Sequence, residues 1–105
     1  MPSATRRLKP GLRYSIAAFH RIAAGAVPRV MEDKWFIFYE EPCLHFHRSW
    51  TGDAIFAVRW KVTPKEAQVV EVLVNADPKQ YRGRDDAADV ALVKRILDSL
   101  AARSR

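Results

Sequence analysis

The sequence predicts an α+β fold, in which a four-stranded antiparallel meander sheet carries an N-terminal helix and a C-terminal helix packed on it. Two observations support this fold class. Between residues 34 and 75, apolar and aromatic side chains alternate with polar ones, as they do in β-strands. Towards both ends of the chain, apolar residues instead recur every three or four positions, as on one side of an amphipathic helix.

The chain of 105 residues has the length of one domain. Residues 1–11 are predicted to be a flexible basic arm, because basic side chains there precede the turn signal Pro10-Gly11. Residues 12–105 are predicted to form a single α+β domain. Its first helix is expected over residues 12–24, where apolar residues at helical spacing are followed by Gly25.

Four strands are predicted from the alternating pattern and the turn residues between the segments. They cover residues 34–40, 44–50, 54–62 and 68–75. The first is apolar on both faces, which predicts a strand that is central in the sheet or covered on both sides. The third alternates cleanly: Trp60 points towards the core and Arg59 points away. This alternation predicts a sheet with one buried face and one wetter face.

A last helix is predicted from about residue 86 to residue 102. Asp85 or Asp86 is expected to cap it. Capping and the favourable interaction of acidic side chains with the helix dipole together explain this acidic cluster, which includes Asp89. The apolar stripe of this helix comprises Val90, Val93, Leu97 and Leu100. It predicts that the helix packs on the sheet face that carries Trp60.

The chain is basic, with 18 Lys and Arg against 12 Asp and Glu, a net charge of +6 and a pI near 9.9. This balance favours an anionic partner such as a nucleotide or a nucleic acid, although scattered basic residues also solubilise a small domain. One cysteine, Cys43, excludes an intramolecular disulfide and suits a cytoplasmic protein. No apolar run approaches the roughly 20 residues that a membrane span needs.

The second strand carries the sharpest local pattern. Alternation places Cys43, His45 and His47 on one face, and Arg48 on the other with Leu44, Phe46 and Trp50. A His-x-His pair with a cysteine can chelate a metal ion, but no fourth ligand is evident. The sequence therefore predicts neither a metal site nor a cofactor.

A ligand site is predicted where this strand ends, because an arginine, hydroxyl groups and turn amides together suit an anion. Its residues are His47, Arg48, Ser49 and Trp50, joined by His45 and by Arg59 from the neighbouring strand. The alternative is structural. In that alternative Arg48 pairs with an acid such as Asp33 or Asp85, and Trp50 closes one end of the core.

Three stretches resemble a small, poorly characterised bacterial domain family. They are residues 34–40 (KWFIFYE), 46–52 (FHRSWTG) and the acidic pair 85–86 before the last helix. The resemblance covers residues 28–100. It implies a nucleotide or ADP-ribose context, since similar domains occur joined to ADP-ribose-processing macrodomains. Members often carry an aromatic and an aliphatic residue where this chain has His45 and Cys43, which argues against a metal site.

These features predict a binding or accessory module for an anionic, nucleotide-like ligand. A first alternative is a small enzyme that acts on a nucleotide or phosphate ester, with His47 as acid-base and Arg48 as anion clamp. A second is a protein-protein interaction module that uses the sheet face or edge. The sequence predicts no oligomeric state.

Overall fold

The computed structural model describes residues 5–27, 34–81 and 85–102. It has an α+β fold with an antiparallel sheet, one helix near the N-terminus and one near the C-terminus, as predicted. The sheet has six strands rather than four. The strands are β1 (Thr5–Leu8), β2 (Arg13–Ser15), β3 (Trp35–Glu40), β4 (Cys43–Arg48), β5 (Ala54–Val62) and β6 (Glu66–Asn75). The helices are α1 (Ile16–Ala23) and α2 (Asp86–Ala101).

The four predicted strands form a meander, so the sheet runs in the order β1-β6-β5-β4-β3, and β2 pairs with β6 beside β1. Strand β3 therefore lies at the edge of the sheet. The expectation that this strand is central was wrong, and its two apolar faces need another explanation. One face contributes Ile37 to the core, and the other carries Phe36 and Phe38 on the side of the sheet away from the helices.

The two additional strands lie in the N-terminal segment. Thr5–Leu8, assigned to a flexible arm by its composition, pairs with β6 along its whole length. Leu8 is buried, and the Arg6 side chain pairs with Asp86 and with the buried Asp89 of α2. These partners lie about 65–85 positions away in the chain, so the local composition gives no sign of them.

Helix α1 is shorter than predicted, because residues before Ile16 pair with β6 as β2. The side chain of Ser15 caps it by accepting a hydrogen bond from the Ala18 N–H at 3.1 Å. Gly25 follows the helix with φ +71°, and a Cβ at this position would overlap the Ile37 carbonyl oxygen. The missing side chain lets Ala26 pair with Ile37 across the edge of the sheet.

Both helices pack on one face of the sheet. Phe19 of α1 meets Trp60 of β5 at a ring distance of 5.0 Å, and Leu97 of α2 is buried in the same core. The ring neighbours of Trp60 are Phe19 and Tyr14, so the N-terminal segment covers it directly. No helix of the described chain lies on the opposite face of the sheet.

Strand β6 contains a bulge that changes which of its residues face the helices. Arg59 pairs with Glu71 and Trp60 pairs with Val69, which leaves Val70 without an opposite residue. Buried positions accordingly change from odd-numbered before the bulge to even-numbered after it. The extra residue places Glu71 on the face opposite the helices, beside Arg59.

Candidate ligand-binding face

The sheet surface opposite the helices is called the open face below. Its central residues are Phe36, Phe38, Cys43, His45, His47, Ala57, Arg59, Glu71 and Leu73. Cross-strand pairing arranges them in rows. One row runs from Phe38 through His45 and Ala57 to Leu73, and the next runs from Cys43 through Arg59 to Glu71. The first row is aromatic and apolar, and the second joins a thiol to two charged groups.

Four rings cluster at the β3–β4 corner of the open face. Phe38 stacks on His45 with centroids 5.0 Å apart and planes at 22°, and it lies 5.1 Å from His47 and 5.2 Å from Phe36. Phe36 remains 39% exposed. Aromatic side chains are usually buried, so the exposure of this cluster makes it an apolar patch on the protein surface.

Cations lie further across the open face, on β5 and, at the opposite edge of the sheet, on β1. The Arg59 side chain is 56% exposed and lies 3.6 Å from Glu71, which also lies 3.9 Å from Arg7. One carboxylate thus faces two guanidinium groups, and the exposed Lys61 adds a third positive charge on β5. Positive charges therefore predominate on β1 and β5, while Glu40 adds a negative charge opposite Cys43 at the β3 end of the row that contains Arg59.

The two open-face histidines have different surroundings. Burial lowers the pKa of His45 below its ordinary value near 6.5, and the neighbouring His47 lowers it further, while Glu40 acts in the opposite direction. His47 Nδ1 lies 3.1 Å from the Gly52 carbonyl oxygen. Since a carbonyl only accepts, Nδ1 is the donor, and Nε2 remains to accept a hydrogen bond when the ring is neutral.

The predicted site residues do not all come together. His45, His47 and Arg59 share the open face, but β4 continues through Arg48, whose side chain therefore points to the helix side. Ser49 and Trp50 lie in the turn after β4. The single site proposed at the end of this strand is divided between two faces.

The structural alternative for Trp50 was wrong, and for Arg48 the pairing with Asp33 stays a prediction. Trp50 is 75% exposed, so it does not close the core. Asp85 caps α2 by accepting from the Ala88 N–H at 2.8 Å, and Asp33 lies outside the described residues. Arg48 instead lies over the Trp35 ring, with its guanidinium carbon 4.8 Å from the centroid.

Cys43, His45 and His47 lie on one face of β4, but the described part of the chain contains no group of three or more His, Cys, Asp and Glu residues arranged to hold a metal ion. Burial raises the pKa of the Cys43 thiol, which disfavours the thiolate that a metal would need. The absence of a metal site stays a prediction.

Two residues of the open face were not predicted as site residues. Phe36 and Phe38 were read as a second buried face of a central strand. The available signal was the aromatic pair itself: on an edge strand, rings on the face opposite the core have no packing role to explain them. Which face is covered is a tertiary property, and the sequence pattern alone does not determine it.

Comparisons with known proteins leave the chain unassigned: no family model, no curated protein and no solved structure matches it. The resemblance to a bacterial domain family therefore stays a prediction. No helix within residues 5–27, 34–81 and 85–102 is long and apolar enough to cross a membrane.

Proposed function

We propose that this protein is a binding module whose open face holds an anionic, nucleotide-like ligand. The observation that carries the proposal is the ring cluster around Phe38, which lies two strands from Arg59 on a sheet face that neither described helix covers. Bases stack on aromatic side chains, and phosphates pair with arginine and lysine. The open face offers both kinds of contact on one surface.

The rings support the base-binding part. A base that covers Phe36 and Phe38 would remove exposed aromatic surface from water, and each stacked base contributes about 1–3 kcal/mol in proteins that bind single strands. The stack of Phe38 on His45 fixes both rings against the sheet, so little side-chain entropy remains to be lost on binding.

The charges support the phosphate-binding part. Arg59 lies two strands from Phe38 in the sheet, which corresponds to roughly 10 Å at the usual strand spacing. Between them β4 presents His45, which stacks on Phe38, and Cys43, which is opposite Arg59; the small and buried Ala57 lies beside Arg59 on β5. A nucleotide or short single strand that places a base on the rings can therefore reach Arg59 with a phosphate across β4.

The proposal is tested by the anisotropy of a labelled short oligothymidine, titrated at several salt concentrations. Phe38→Ala should weaken binding about tenfold or more, the loss expected for one stacked base. Arg59→Gln should reduce the slope of log K against log salt by about 0.7, the value for one phosphate contact in a single strand.

Two control variants distinguish binding at the open face from non-specific attraction to positive charge or to exposed apolar side chains. Arg95 is an exposed arginine on α2, and Val62 is an exposed apolar residue on β5. Arg95→Gln and Val62→Ala should bind as the wild type does. Equal losses in Arg95→Gln and Arg59→Gln would show non-specific attraction to a basic protein, and the proposal would then be wrong.

A further inference from the structure

The half of the open face away from the ring cluster carries a group of cations, called the basic track below. They are Arg59 and Lys61 on β5, Arg7 on β1 and Arg13 on β2. Arg7 lies opposite Leu73 of the open face. Lys61 and Arg13 flank Gln68, which faces the same way because its neighbours on β6 are buried in the core. Directly opposed residues of antiparallel strands share a face, so the basic track belongs to one surface.

Two arginines of the basic track stand on either side of one carboxylate. Glu71 lies 3.9 Å from the Arg7 guanidinium and 3.6 Å from that of Arg59. Only 13% of the Glu71 side chain is exposed, whereas more than half of each arginine side chain is. A phosphate placed midway between the guanidinium groups would meet this carboxylate and be repelled. Each arginine is therefore expected to bind a phosphate of its own, on the side turned away from Glu71.

The basic track extends well beyond the reach of one nucleotide on the rings. The row that begins at Phe38 and passes through Leu73 ends at Arg7, four strands away. This separation is roughly 19 Å at the usual strand spacing, against roughly 10 Å from Phe38 to Arg59. A mononucleotide has one phosphate group close to its base, so it can reach Arg59 but not Arg7.

We propose that the ligand of the open face is a single-stranded nucleic acid of several nucleotides, which lies across the strands from the ring cluster to β1. This inference rests on the proposed function and specifies its ligand. Bases at one end of the strand stack on Phe38 and its neighbours, and successive phosphates contact Arg59 and then Arg7. A duplex does not fit, because its bases are already paired and stacked within the helix.

The test compares the dinucleotide and the hexanucleotide of thymidine as competitors of a labelled oligothymidine. Sites for single strands begin at about 4 nucleotides, so the hexanucleotide should bind about tenfold more tightly or better. A hexanucleotide duplexed with its complement should compete poorly. In the hexanucleotide titrations Arg7→Gln should lower the slope of log K against log salt by about 0.7, the value for one phosphate contact.

Matched variants assign this dependence on length to the basic track. Arg7→Gln should reduce the ratio of hexanucleotide to dinucleotide affinity several-fold. Arg7→Lys keeps the charge and should retain most of the ratio. Arg95→Gln, which removes an exposed arginine from α2, should leave the ratio as in the wild type.

The outcomes separate this inference from the proposed function. Equal affinity for both lengths, with Phe38→Ala still weakening both, would overturn the inference and leave the proposed function standing. Equal changes of the ratio in Arg7→Gln and Arg95→Gln would also overturn it, because length would then act through overall charge alone. Full competition by the duplex would do the same. If neither length binds, both proposals are wrong.

Discussion

Phe38 and His45 lie opposite each other on β3 and β4, with ring centroids 5.0 Å apart and planes only 22° from parallel. The stack shields one side of the imidazole from water, and this burial is the main reason why the pKa of His45 is lowered. The lowered pKa favours the neutral imidazole in the free protein. A bound anion at the open face would favour the charged form.

The first prediction concerns the pH dependence of binding. Affinity for an anionic ligand at the open face should rise as the pH falls through the pKa of His45, because protonation adds a positive charge there. Linkage requires the reverse effect also: a saturating oligothymidine should raise the pKa of His45. The imidazole proton resonances measure this pKa directly with and without ligand. A pKa that does not change on binding would place the ligand elsewhere.

The second prediction concerns stability. Whereas affinity should rise as the pH falls, the contribution of His45 to stability should decrease. Its pKa is lower in the folded state than in the unfolded chain, so the folded state binds fewer protons. The stabilising effect is complete above pH 6.5 and is lost as the pH falls through the folded-state pKa. His45→Gln should reduce this loss of unfolding free energy as the pH is lowered below 6.5, measured by urea unfolding, and His20→Gln, at an exposed position, is the control.

The third prediction concerns Arg6, which holds β1 against α2. Arg6→Ala leaves the buried carboxylate of Asp89 without its cation, and because the Arg6 side chain is 32% exposed we expect a loss of about 2–3 kcal/mol, below that of a fully buried pair. Arg7→Ala is the control. Its side chain is 74% exposed and its ion pair is long, so the loss should stay under about 1 kcal/mol. Equal losses of unfolding free energy for the two variants in urea would show that the ion pair of Arg6 with Asp89 does not hold β1 against α2.

The fourth prediction concerns Gly25 and uses Gly11 as its control. Both have φ near +70°, and an added Cβ costs about 1–2 kcal/mol in this conformation. At Gly11 the Cβ would meet open space, whereas at Gly25 it would overlap the Ile37 carbonyl oxygen. Gly25→Ala should therefore be clearly more destabilising than Gly11→Ala and should disrupt the pairing of Ala26 with Ile37. Amide exchange at Ile37 reports that pairing.

The fifth prediction concerns Trp60, which is 4% exposed. Trp60→Ala should cost about 3–5 kcal/mol, as for other buried aromatic residues. Within the described structure Nε1 of Trp60 is buried without a hydrogen-bond partner, and Trp60→Phe removes this donor along with part of the ring. The Phe variant should therefore lose much less stability than the Ala variant. A loss below about 1 kcal/mol for Trp60→Ala would contradict the packing of this face.

The strands that the sequence predicted correctly are those with strong local patterns. The alternation in β3 to β6 and the apolar stripe of α2 depend only on neighbours in the chain. Strands β1 and β2 are four and three residues long, and they form because β6 offers them an edge. Such pairing is a long-range property, and a short segment with the composition of Thr5–Leu8 carries no sign of it.

The arrangement of the candidate site residues was predictable to a similar extent. Alternation places His45 and His47 on one face, and the antiparallel register adds Arg59, which a period-two pattern can anticipate. Whether the aromatic pair of β3 lies on the open face or in the core depends on which face of the sheet the helices cover. Alternation also places Arg48 on the face opposite His47, so the division of the predicted site between two faces follows from the pattern itself.

The central claim is that the open face binds the ligand, and a map of chemical-shift changes during titration with a short oligothymidine tests it most directly. We predict that the changed resonances belong to Phe36, Phe38, His45, His47 and Arg59, with saturation at one common affinity. Resonances of α1 and α2 should remain in place, because the helices cover the other side of the sheet. Shifts confined to the helices, or no saturable shifts at all, would contradict the account.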